Sequence, residues 1–70
     1  MSNSNIIQMQ LYEMLHETGQ YGWADWRAMI AYCIGYYGVI TMDHVNAIAE
    51  LERTGAVKRP LEYLSEHRGL

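Results

Sequence analysis

The side chains able to do chemistry are His16, His44, His67, Glu13, Glu17, Cys33 and a few serines. No histidine has a second His or Cys three or four positions away, the spacing that sets two metal ligands on one helix face. Each of the three therefore reads as solvated, at a helix surface or end. Glu13 and Glu17 lie four apart and share a face in any helix. General acid–base work needs such carboxylates held in a closed cleft. A chain of 70 residues leaves little room for one, so an exposed acidic face is the expectation. Ser2, Ser4 and Ser65 have no base partner in any nucleophile motif. No glycine-rich phosphate loop is present, and Gly35 and Gly38 read as a helix-packing and a helix-stopping residue. The lone Cys33 excludes an internal disulfide and, within its apolar run, reads as a reduced, buried thiol in a cytosolic protein. The expectation is a non-enzymatic protein with no catalytic residue, metal or cofactor.

Half of the chain is hydrophobic and 19% is charged, a composition that excludes intrinsic disorder as the default. Length permits a single domain, residues 1–70. The aromatic set is skewed to 6 Tyr and 2 Trp with no Phe, so every ring carries an O–H or N–H. Net charge is −3. The acids Glu13, Glu17, Asp25, Asp43, Glu50 and Glu52 face Arg27 alone up to position 52, and the remaining bases fall from Arg53 onward. An acidic body disfavours nucleic acid and suits a basic partner surface. The uncharged run from Ala28 to Met42 would span about 22 Å as a helix, short of the roughly 30 Å bilayer core. No signal peptide is expected from the opening Met1-Ser2-Asn3-Ser4-Asn5, and no membrane partner.

These residues need helices to position them, since apolar spacing follows the helical period throughout and never alternates for long. The expected fold is all-α, a bundle of three main helices at about 5–18, 23–37 and 42–54, with a short fourth at about 60–67. Ser4 or Asn5 caps the first helix, Asn5 forming a loose capping box with Gln8, and Gly19 ends it. Its apolar stripe is Ile7, Leu11, Met14 and Leu15. Gly19-Gln20-Tyr21-Gly22 reads as a short turn, favouring an antiparallel neighbour. The second helix is apolar nearly all round, so it is either the central helix or covered on one face by a second molecule. Trp26, Ile30, Ile34 and Tyr37 are assigned to the core. Thr41 caps the third helix with Asp43 in its first turn, and Val45, Ile48, Ala49 and Leu51 form its buried face. Val57 follows as a contact past the Gly55 stop. Pro60 opens the fourth helix, which buries Leu61 and Leu64.

Tyr21, Trp23, Trp26, Tyr32, Tyr36 and Tyr37 crowd one stretch of chain. Helix geometry forbids all six facing one core. A partner surface is therefore expected at Tyr21, Trp23, Tyr32 and Tyr36, rimmed by Glu13, Glu17, Asp25 and Asp43. The partner is a protein with a basic surface or a second copy of the chain as a homodimer. In size and charge the chain resembles the small inhibitors that phages encode against host defences or host enzymes, anti-CRISPR proteins among them. That resemblance implies inhibition in the host cytoplasm by steric block or nucleic-acid mimicry. A second resemblance runs from Ile40-Thr41-Met42-Asp43-His44-Val45 through Ala47-Ile48 and Leu51-Glu52 to Gly55-Ala56-Val57, which is similar to the recognition-helix stretch of winged-helix regulators. It implies DNA contact by the third helix and Lys58-Arg59. Against that, the outward positions Asp43, Glu50 and Glu52 repel phosphate, and Lys58-Arg59-Pro60 leaves almost no wing. A bare homodimerisation module is the third alternative.

Overall fold

The computed structural model describes residues 3–59. It contains three helices, α1 (Asn3–Glu17), α2 (Trp26–Tyr37) and α3 (Met42–Arg53), and no strand among the described residues. The all-α expectation stands at that level, whereas the fourth helix with Leu61, Leu64 and His67 lies outside the described residues.

Helix ends follow local chemistry. α1 starts at Asn3, so Ser4 and Asn5 lie inside its first turn rather than capping it. Short polar side chains in a first turn cost only a few tenths of a kcal/mol. At its other end Gly19 adopts φ 69°, a left-handed conformation that side chains resist. There the Gly19 N–H reaches the His16 carbonyl at 3.2 Å and the Gln20 N–H reaches that of Leu15 at 2.8 Å. This paired closure is a Schellman motif. The end of α3 repeats it, with Gly55 at φ 91° bonding Glu52 and Ala56 bonding Leu51.

α2 starts three residues later than the earliest expected position, because Asp25 is its N-cap. The Asp25 Oδ1 accepts from the Ala28 N–H at 2.9 Å, the role for which aspartate is favoured. Thr41 caps α3 as expected, and His44 completes the capping box. Its Nδ1 accepts from the Thr41 N–H at 3.1 Å. That geometry corrects the sequence reading of His44 as solvated, since the ring is 5% exposed. Folded back over the cap, it lies 4.6 Å from the Tyr37 ring. An accepting Nδ1 assigns the proton to Nε2, which is buried without a hydrogen-bond partner among the described residues.

The core joins Ile7, Leu11 and Leu15 of α1 to Ala47, Ile48 and Leu51 of α3, with Met29 and Cys33 of α2 and Ala24, Ala56 and Val57 of the connections. The stripe expected on α1 holds, with Met14 at its edge. On α3 the buried face is rotated: His44 and Ala47 are inside, Val45 is half-buried and Ala49 is exposed. α2 is rotated likewise. Met29 and Cys33 are buried, each one position before the Ile30 and Ile34 assigned to the core. Ile30, Trp26 and Tyr37 only flank it, and Ile34 is 51% exposed. α1 packs chiefly on α3, and α2 touches α3 more briefly. The expected short turn is longer, running from Thr18 to Asp25. It is held by Trp23 N–H and Ala24 N–H on the Gln20 carbonyl.

Candidate functional site

Polar handles on two rings set the position of α2. The Trp26 indole N–H donates to the Glu52 carboxylate of α3. At the other end the Tyr37 hydroxyl donates to Gln10 Oε1 of α1 at 2.6 Å. The end of α2 is thereby tied to the middle of α1, although the two helices share little direct packing, and Tyr37 comes beside Gln10 on the first helix. Gln10, Glu13 and Glu17 occupy successive turns of α1 on one line. The Tyr37 bond fixes one end of that line. At the other stands Glu17, whose charge contributes least of the influences on the Tyr32 hydroxyl. Burial against the core pushes that hydroxyl above the ordinary phenol range, and Tyr36, Cys33 and then Glu17 add to the rise.

Four rings continue along this side. Tyr32 and Tyr36 stack at 5.5 Å and 8° between planes. Tyr36 meets Tyr37 edge-on at 4.9 Å, and Tyr37 meets His44 at 4.6 Å. A second ring cluster borders the glutamates on α1. Tyr12 lies 4.5 Å from His16, His16 stacks on Tyr21 at 4.6 Å, and Tyr21 presents an edge to Tyr12 at 5.7 Å. Tyr12, Glu13, His16, Glu17 and Tyr21 are all exposed. Aromatic contacts of this kind contribute about 0.5–1.5 kcal/mol each beyond area burial, so the rings are ordered by one another.

The eight residues expected at the partner surface separate into groups. Glu13, Glu17, Tyr21, Tyr32 and Tyr36 belong to the α1–α2 side just described. Asp25 is engaged as the α2 cap, and Asp43 is half-buried in the first turn of α3, where the helix dipole favours it. Trp23 stands apart and is 79% exposed. It lines an open cavity with Gly22, Gly55, Val57, Lys58 and Arg59. Its ionic neighbours in that cavity are cations, so no acidic rim surrounds it there. Tyr12 and His16 were missed by sequence reasoning. The available signal was their i, i+4 spacing, which puts two rings in contact on a helix surface.

The acids differ as sharply. Glu50 pairs with Arg53 at 2.7 Å, and the hydrogen bond from Arg53 holds its carboxyl below the ordinary range. Glu52 accepts from Trp26. Glu13, Glu17 and Asp43 make no ion pair or side-chain hydrogen bond among the described residues. Cys33 is a free, buried cysteine whose thiol burial pushes up, which keeps it in the unreactive form. Among the described residues, no three His, Cys, Asp or Glu side chains cluster to hold a metal ion, and no helix is long and apolar enough to cross a membrane. The α1–α2 side thus presents two neighbouring exposed carboxylates and a set of tyrosine rings.

Comparison with protein-family models, with curated proteins and with solved structures finds no match to the chain.

Proposed function

We propose that this chain is a non-enzymatic binding protein that docks on a lysine- or arginine-rich protein surface through the α1–α2 side. One observation carries the reading: the carboxylates of Glu13 and Glu17, without an ion pair among the described residues, stand on α1 beside the Tyr12–His16–Tyr21 cluster, and α2 adds the stacked Tyr32–Tyr36 pair. Tyrosine faces attract guanidinium and ammonium groups, by about 0.5–2 kcal/mol per contact. Tyrosine is also among the residue types that dominate binding hot spots. Two nearby carboxylates add charge complementarity, which favours fast encounter and rejects acidic partners. The rings are preordered by their own contacts, so little side-chain freedom remains to be lost on binding.

The finer reading within this proposal is an inhibitor of the phage-encoded kind, acting in the host cytoplasm by covering a basic functional surface of its target. Steric block fits better than nucleic-acid mimicry, because Glu50 and Glu52 are engaged with Arg53 and Trp26 and do not extend the acidic line.

An arginine-rich peptide provides a defined test. Titrated into the isotopically labelled chain, it is expected to shift the backbone signals of Glu13, Glu17, Tyr32 and Tyr36. The double variant Glu13→Gln/Glu17→Gln should lose most of that response while keeping the helical spectrum. Shifts centred on other residues, or equal binding by the double variant, would sink the assignment.

A further inference from the structure

α2 carries a second surface of a different kind. At 100° per residue, Arg27, Ala31 and Ile34 lie on the side opposite Met29 and Cys33, flanked by Ala28 and Gly35. All five are exposed. Val39 and Met42, just past the helix end, are exposed as well. This side is apolar apart from one charge, and that charge is at the wrong end of the helix. Arg27 stands in the first turn, where the positive end of the dipole disfavours a cation, and it makes no side-chain hydrogen bond or ion pair among the described residues. The last turn, where the dipole favours a cation, carries no basic residue.

The amino end of α2 is already capped by Asp25 and carries a spare cation, the carbonyl end has none, and a two-fold axis brings the two together. When two α2 helices lie antiparallel, Arg27 of each copy falls beside the carbonyl end of the other. The helix of 12 residues is about 18 Å long, so the axis passes near Ala31, Ile34 and Gly35. There Ile34 supplies the apolar contact, and the small neighbours let the backbones approach. We infer that α2 pairs antiparallel with α2 of a second copy of this chain, Arg27 capping the partner helix. A self-complementary patch of this type is what a closed two-fold dimer requires. Tyr32, on one line with Ala28 and Gly35, borders the paired surface at its edge, whereas the glutamates of α1 are on another helix and stay free.

Sedimentation equilibrium of the whole chain decides this, run from about 1 to about 200 µM because a dimer of modest affinity responds to concentration. The expected result is a mass that doubles across the range. Ile34→Glu should give a monomer at every concentration while its circular dichroism stays helical. Arg27→Glu places an acid against the partner's carbonyl end and should weaken association by about tenfold at low salt. A wild-type monomer throughout overturns the inference, whether another part of the same chain or a different protein covers the face. So does a dimer that withstands Ile34→Glu, since its interface then lies elsewhere.

Discussion

α2 and α3 are both 12 residues long, and they differ in every way that matters for burial. α3 is the more polar helix, yet it buries His44, Ala47, Ile48 and Leu51. α2 is the more apolar and buries Met29 and Cys33 alone. Apolar content therefore does not decide which helix forms the core; its arrangement does. The apolar residues of α3 are gathered on one side, so a single contact with α1 removes them from water together. Those of α2 are spread round the cylinder, and one contact can satisfy only a fraction of them. The consequence is a division of labour: α1 and α3 hold the fold, and α2 displays surfaces.

The largest effect that would break this comparison is a cavity in α3. Leu51→Ala should cost about 3 kcal/mol, within the range for buried leucine truncation, whereas Ile34→Ala on α2 should stay within about 0.5 kcal/mol at concentrations where the chain is monomeric. Urea titration followed by circular dichroism measures both. Equal losses would show that α2 is as integral as α3. Trp26→Phe comes next. It keeps an aromatic ring but removes the pyrrole half with its donor to Glu52, so lost packing adds to the lost hydrogen bond, for an expected loss of about 1.5–3 kcal/mol. Tyr37→Phe, which frees Gln10, should cost about 1 kcal/mol.

The smallest expected effect is alkaline. Burial raises the Cys33 thiol first and foremost, and desolvation is also the largest cause for the Tyr37 hydroxyl. A raised value in the folded state means the proton is held more tightly there than in the unfolded chain. The associated stability is intact below the ordinary thiol range. It declines as pH climbs through that range toward the raised folded value, because only the unfolded form ionises. Stability measured from neutral to alkaline pH should slope down for the wild type and slope less for Cys33→Ala. Parallel slopes would remove Cys33 from the account.

Much of the fold was legible because it rests on local signals. Gly19 and Gly55 mark helix ends by conformational freedom, Thr41 and Asp43 mark a start, and Ile7, Leu11 and Leu15 repeat at the helical period. The α2 face was misassigned because its apolar residues are nearly uniform round the helix. With no dominant stripe, the large rings of Trp26 and Tyr37 attracted the assignment that Met29 holds, while Cys33 is buried as its apolar run implied. His44 was misread for a related reason: its burial depends on a tertiary neighbour, Tyr37, and on an uncommon capping-box partner. At the candidate site, the tyrosines and glutamates were visible as types. Their grouping was not, because it follows from Tyr37–Gln10 and Trp26–Glu52, two contacts remote in sequence. Trp23 fell on the basic side for the same reason, since Lys58 and Arg59 reach it through the pairing of two distant connections.

That pairing has a kinetic meaning. Gly22 N–H bonds the Ala56 carbonyl and Lys58 N–H bonds that of Ala24, both at 2.8 Å, so the segment after α1 is clasped to the segment after α3. Each helix and each Schellman turn closes over neighbours in sequence and forms in about a microsecond or less. The clasp must instead wait for the intervening chain, α2 and α3 together, to bring its ends within reach, at a cost that grows with the logarithm of that length. Closing this ring of chain therefore carries an entropic cost that the local helices and turns do not.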